Sequence, residues 1–149
     1  MNESELRSRL QKLFQEQRLA VLSTHNQGQP YSSLVAFSAS HDLTRIYFAT
    51  NRATRKYDNL QKEPRVSMLM DNRSNSTADF RDAMAVTVTG RARDMKKSEK
   101  ADLKKDYLAK HPYLDEFIAS PTCAFIEVEV ETYYAVHRFQ SVVELHMKP

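Results

Sequence analysis

The sequence predicts a mainly β domain of the α+β class: a barrel of about seven antiparallel strands with helices packed on its outside. Three observations predict it. Short segments that alternate apolar and polar residues recur from Leu19 to Met147, separated by turn-forming residues. Helical periodicity is confined to three places, so strands mostly follow strands, and the regular strand–helix alternation of a parallel sheet is missing. Two alternating runs, around Val86 to Ala92 and Ala124 to Val130, are long enough to carry one buried and one wet face, as a closed wall requires.

In chain order, residues 4–17 place Leu6, Leu10, Leu13 and Phe14 at helical spacing, which predicts an amphipathic helix whose apolar stripe covers the core. LAVLST (19–24), a turn over HNQGQP and YSSLVAFS (31–38) read as a hairpin with a loop longer than two residues. SHDL turns the chain into RIYFAT (45–50), which completes a meander. The next helix, over 54–62, is capped by the Thr54 hydroxyl and ended by Pro64. RVSMLMD (65–71) is extended again, with Val66, Met68 and Met70 on one face. NRSNSTADFRD (72–82) is polar and reads as a loop. Val86, Val88, Gly90 and Ala92 then alternate with Thr87, Thr89, Arg91 and Arg93 along a strand in which Gly90 marks a bend or bulge. A helical region over 97–118, interrupted before Pro112, leads to a strand whose Ala124, Ile126, Val128 and Val130 face inward while Glu127, Glu129 and Glu131 stay wet. SVVELHM (141–147) is the last strand.

Composition narrows the function. The 149 residues suit one domain, 1–149, able to bury about two thirds of the surface its unfolded chain exposes. No apolar tract is long enough to span a membrane, and MNESELRSRL has no secretory character, so no membrane association and a cytoplasmic location are expected. A lone cysteine, Cys123, excludes an internal disulfide, and the five scattered histidines offer no metal-ligand spacing, so no metal site is expected. With only Gly28 and Gly90, neither a dinucleotide fingerprint nor a phosphate-binding glycine loop is available.

The segment ATNRATRKYDNL (49–60) carries the chemistry. Arg55 and Lys56 fall in the first turn of the predicted helix, where the partial positive charge of the helix start disfavours a cation by about 0.3–1 kcal/mol. A phosphate reverses that sign: free N–H groups, an Arg fork and a Lys point charge converge on one anion. The alternative is an ordinary solvated helix face.

The order of elements, together with TN, then TRK, then EPRVSMLM, resembles the FMN-binding split-barrel family that includes pyridoxamine 5'-phosphate oxidase, over about residues 15–135. The resemblance implies FMN as cofactor, with its phosphate on Arg55 and Lys56 and its ribityl-phosphate end lined by Thr50, Asn51 and Thr54. It implies that the backbone of the second strand, Ser33, Leu34, Val35 and Ala36 as far as Phe37, runs past the flavin ring. Family members are homodimers with cofactor sites between the subunits, and a late aromatic residue reaches the partner's flavin; Tyr133 matches it, with Tyr134 as the neighbour. Arg73, Asn75 and Ser76 would reach the cofactor across the dimer, or serve as plain turn formers.

The sequence also departs from the oxidase pattern. Its second strand lacks flanking basic residues, Ala85 stands where a glutamine is expected, and YAVHRFQSVVELH offers only His137 and Arg138 in place of an Arg-x-His motif. The resemblance therefore implies an FMN-dependent oxidoreductase that does not act on pyridoxamine phosphate itself, with no general acid or base assignable. Two other readings stay open. Haem-associated and deazaflavin-using relatives exist, and His137 or His146 would be the iron ligand. A barrel gripping single-stranded nucleic acid is a third reading, but no dense basic stripe interleaved with aromatics supports it.

Overall fold

The computed structural model describes residues 1–138 and 141–147; Phe139 and Gln140 of the late YAVHRFQSVVELH segment, and Lys148 and Pro149, lie outside the described residues. Seven antiparallel strands form it: β1 (Leu19–Asn26), β2 (Gln29–Ala39), β3 (Arg45–Asn51), β4 (Arg65–Asp71), β5 (Met84–Asp94), β6 (Cys123–His137) and β7 (Ser141–His146). They run in the order β3-β2-β1-β4-β5-β6-β7, and β3 also pairs with β6, which closes six strands into a barrel and leaves β7 as an extra strand on β6. Closure pairs β3 with β6 and leaves as free edges the outer side of β7 and the part of β2 before Phe37, among the described residues.

The inward positions follow the alternation. Val66, Met68 and Met70 of β4 are buried, as are Val86, Val88 and Ala92 of β5. Helix α1 (Glu3–Glu16) starts at Asn2, whose side chain accepts a hydrogen bond from the Glu5 N–H, and it buries Leu6, Leu10, Leu13 and Phe14. Each of those side chains contributes about 2 kcal/mol by leaving water. A second, outer cluster stacks Tyr47 on Phe125, with ring centres 5.8 Å apart, beneath α4 (Ala101–Lys110) and α5 (Asp115–Ala119). No helix among the described residues is long and apolar enough to cross a membrane.

Four expectations change. The β1–β2 loop has two residues, Gln27 and Gly28, because both adopt positive φ (51° and 84°) and form the primed turn that matches strand twist. The polar stretch 72–82 contains a short helix, α3 (Asp79–Asp82), preceded by a loop that Asp79 ties together by accepting from the Ser74, Asn75 and Ser76 N–H groups. The region 97–118 divides into a 3-10 turn at Lys97–Glu99, α4, a second 3-10 turn at Pro112–Leu114, and α5. Glu127 is not wet: it is 7% exposed, and its carboxylate binds Arg45 from β3 and Arg93 from β5. Two cations from distant strands make that burial possible.

Strand β6 changes partners midway. Through Glu129 it pairs with β3, and from Thr132 onward it pairs with β7. The changeover coincides with a register shift on β5, where Thr89 faces Thr132 but Gly90 faces Val130, so Glu131 is the extra residue of a bulge. Both backbone groups at the changeover are satisfied: the Val130 N–H donates to the Thr44 carbonyl (3.0 Å) and the Met147 N–H to the Glu131 carbonyl (2.8 Å).

The β2–β3 turn is held by Asp42, which accepts from the Thr44 N–H, the Thr44 hydroxyl and the Ser40 hydroxyl. These bonds, the Thr44 N–H first, hold its carboxyl at about 2, below the ordinary 3.8. A depressed carboxyl adds stability that is complete above its unfolded value and disappears as pH falls through its folded one. Asp42→Asn is therefore expected to destabilise the protein at pH 6, and the difference from wild type should vanish by about pH 2. Parallel denaturant titrations at several pH values measure this.

Candidate cofactor-binding site

The candidate site is assembled where β3 hands the chain to α2 (Arg55–Lys62). Asn51 starts the turn by accepting from the Ala53 N–H through Oδ1 (2.8 Å), while its Nδ2 donates to Thr122 Oγ1 (3.1 Å). The Thr54 hydroxyl donates to the Asn51 carbonyl (2.8 Å) and accepts from the Tyr57 N–H (3.3 Å), which makes it the helix cap. Thr50 is buried and places its hydroxyl 3.1 Å from that of Thr54. These three residues fix the shape of the turn, with their polar atoms bonded to one another and to the chain.

Arg55 and Lys56 are the first two residues of α2, as the sequence predicts, and neither has an ion pair or hydrogen bond through its side chain among the described residues. Eight arginines, Arg7, Arg45, Arg52, Arg65, Arg73, Arg81, Arg91 and Arg93, have a carboxylate partner, whereas Arg9, Arg18 and Arg138, like Arg55, have none among the described residues. The Arg55 guanidinium instead lies 5.4 Å from the ring centre of Tyr31 on β2. The tertiary arrangement explains this approach. Buried Asn59 of α2 donates to buried Thr24 of β1 (3.0 Å), and Thr24 is the cross-strand neighbour of Tyr31. One buried hydrogen bond thus seats the helix start beside β2.

Strand β2 meets β3 only through Phe37, Ser38 and Ala39. Its earlier residues have β1 on one side and no strand on the other. The Phe37 N–H bonds toward β1, to the Arg18 carbonyl, so alternation turns the peptide groups of Leu34 and Ala36 to the open edge. There the Ala36 carbonyl accepts from Tyr107 Oη of α4 (2.8 Å). Ser33 Oγ is buried without a hydrogen-bond partner. Val35 packs in the core, whereas Leu34 points outward with 66% of its surface exposed. An orphaned hydroxyl, an open peptide edge and two unpaired cations on a helix start are groups of the kind a phosphorylated, hydrogen-bonding ring ligand needs, and the contact that relates the helix start to β2 is that of Arg55 with Tyr31.

Tyr133 lies elsewhere. It is fully buried, packs against Phe14, and donates from its hydroxyl to the Leu43 carbonyl (2.6 Å), so it has no surface to offer a partner subunit. Tyr134, on the opposite face of β6, is half-buried. In the 72–82 loop, Arg73 pairs with Asp71, Asn75 adopts a positive φ of 62°, and both Asn75 and Ser76 bond to Asp79, which is turn-forming work. His137 and Arg138 line a 470 Å³ cavity with Arg9, Lys12 and Arg81. His146 bonds Thr132 (3.2 Å), and no group of three metal-binding side chains occurs among the described residues.

Solved structures share this architecture at low sequence identity. The General Stress Protein 26 of Bacillus anthracis str. Sterne is 21% identical, with 96% of this chain and 99% of that one covered and a TM-score of 0.72. A FAD-binding protein from Mesorhizobium loti is 22% identical, covering 86% and 90%, with a TM-score of 0.66. A heme binding protein from Mycobacterium smegmatis is 15% identical with a TM-score of 0.82; it covers 98% of this chain, which spans only 59% of its length. No curated protein matches the chain. The family model described as pyridoxamine 5'-phosphate oxidase matches residues 6–137, from inside α1 to the end of β6, and the chain therefore belongs to that family.

Proposed function

We propose that the chain is an FMN-binding flavoprotein, an oxidoreductase whose substrate is not pyridoxamine 5'-phosphate, working as a homodimer with cofactor sites between the subunits. The observation that carries this reading is the unpaired Arg55 and Lys56 at the capped start of α2. Arg55 would take a phosphate bidentately, Lys56 would add a point charge, and the first N–H groups of the helix would complete the cradle. Thr50, Asn51 and Thr54 would hold that cradle in shape. Ser33 Oγ and the open peptide edge at Leu34 and Ala36 would meet the polar rim of the ring. Bound flavin supplies hydride or electron transfer, and the chain's residues supply anchor, orientation and a partly dry wall.

The dimer draws support from an outward apolar row. Leu34, Val21 and Leu69 are register neighbours across β2, β1 and β4, with Leu34 66% and Leu69 39% exposed. A second copy covering this row would also cover the open edge of β2.

Calorimetric titration of the full chain with FMN tests the reading, alongside sedimentation to count subunits. One FMN per subunit, with its fluorescence quenched, is expected in a dimer; no heat and no quenching would remove the proposal. Likeness to the mycobacterial heme binding protein keeps one second reading in view. A Soret band on adding haem, persisting when FMN is present, would favour it.

A further inference from the structure

A different cavity, about 580 Å³ in volume, opens between the start of α2, the end of β5, the start of α4 and the start of β6. Arg52, Asp94, Lys96, Lys100, Lys104 and Cys123 line it; Arg55 and Lys56 do not. Four cations therefore face one carboxylate. That carboxylate is already engaged: Asp94 Oδ2 accepts from Arg52 (3.3 Å) and from Tyr57 Oη (2.7 Å), and its Oδ1 is buried with no partner. Arg52 is engaged as well, since its guanidinium also donates to the Pro121 and Cys123 carbonyls.

The three lysines remain. Lys100 is only 8% exposed, yet it has no ion pair or hydrogen bond through its side chain among the described residues. Lys96 and Lys104 likewise have no ion pair there. Burial pushes the Lys100 ammonium pKa down, and Lys104 and Arg52 push the same way against Asp94. Lys100 is also the N-cap of α4 and makes no side-chain capping bond. An ammonium that opens into the cavity from a buried stem, beside other cations and at the positive end of a helix, is arranged for an anion. Ammonium groups are compact point charges, which suit phosphate oxygens better than a planar carboxylate needing a fork.

We infer that this cavity is a second anion site, which binds a small phosphorylated ligand through Lys100 and Lys104. The site is independent of the Arg55–Lys56 cradle. Ammonium pairs of this kind serve inorganic polyphosphates and phosphate esters alike, and the test separates them.

Cys123 is a built-in reporter, because it is half-buried and lines the same cavity. The rate of its alkylation by iodoacetamide is measured on the full chain with inorganic pyrophosphate or ribose 5-phosphate, together with the unfolding temperature. Pyrophosphate, the ester or both should slow alkylation and raise the unfolding temperature, and whichever acts at lower concentration identifies the source. Lys100→Met should lose at least about tenfold in apparent affinity while raising the unfolding temperature of the free protein, which shows that the fold is intact. Lys104→Gln should weaken binding without that gain. The Arg55→Ala, Lys56→Ala double variant should keep full protection of Cys123, which separates this site from the proposed FMN cradle. Alkylation that neither anion changes, or protection that is equal in Lys100→Met, overturns the inference.

Discussion

Replacing Arg55 and Lys56 together by alanine is expected to weaken FMN binding by at least roughly 100-fold, since each removes charge-assisted hydrogen bonds worth about 1.5–3 kcal/mol. The same variant should be more stable than wild type when no anion is present. Both cations oppose the helix dipole, and the first-turn carboxylate, Asp58, is paired with Lys62 and not with them, so removing each returns about 0.3–1 kcal/mol, less at Arg55 for its lost approach to Tyr31, and alanine favours the helix besides. The two effects have opposite signs, which makes the experiment discriminating. A solvated helix face would give the gained stability without the lost affinity, so the affinity carries the decision and the stability shows that the variant is folded. Lys62→Ala is the control, because Lys62 lies in the last turn of the same helix and pairs with Asp58 at 3.0 Å; it should leave FMN affinity unchanged. Calorimetry for affinity and thermal unfolding for stability, on both variants, decide the matter. Unchanged affinity in the double variant would place the phosphate somewhere else.

The largest expected loss of stability comes from a single methyl group. Gly90 has no positive φ to protect, so its requirement is one of space. A Cβ at this position would stand 2.3 Å from the Glu129 carbonyl oxygen and 2.9 Å from Val128 Cγ1. The first obstacle is backbone of β6 at the bulge, where that strand leaves β3 and takes up β7, so relief requires the barrel wall to open. Gly90→Ala should therefore cost about 3 kcal/mol and lower the unfolding temperature by roughly 10 °C. An exposed glycine substitution gives the scale for comparison: Gly28→Ala meets no atom within 4 Å and is penalised only through its φ of 84°. A Gly90→Ala protein as stable as wild type would mean that the β5–β6 bulge relaxes freely.

Strands whose apolar residues repeat at a spacing of two were legible in the sequence, and so was the helix between Thr54 and Pro64. Val66, Met68 and Met70 needed no tertiary information to be placed inward. The two-residue hairpin was obscured because its first turn residue is Gln27, a side chain that rarely adopts positive φ and so sends no turn signal. The sequence alone makes Glu127 look solvated, because its burial depends on Arg45 and Arg93, which only strand pairing brings to it. Tyr133 matches the family by its place late in the chain, while its spacing of two from Ala135 on β6 sets it inward. Of the cofactor cradle, the pair Arg55 and Lys56 could be read locally. Ser33's unpartnered hydroxyl and the Arg55–Tyr31 approach could not, since both depend on how α2 sits over the β1–β2 hairpin. The lysine cavity was invisible for the same reason, its walls coming from four separated parts of the chain.

The strand that changes partners also has a consequence for biosynthesis. β6 is the last barrel strand to leave the ribosome, and it alone joins Arg45 and Asn51 of β3 to the opposite end of the sequence, opposite Glu129 and Cys123. Until it emerges, β3 and β5 are both unpaired margins of a half-finished sheet, exposing Phe48, Val86 and Val88 to any neighbouring nascent chain. Closure across so long a stretch of sequence makes the barrel slow to complete, so the vulnerable interval of this protein's life is the one before residue 137 is free. Truncations ending before Cys123 should accumulate as aggregates, whereas those removing only β7 should keep the ring closed.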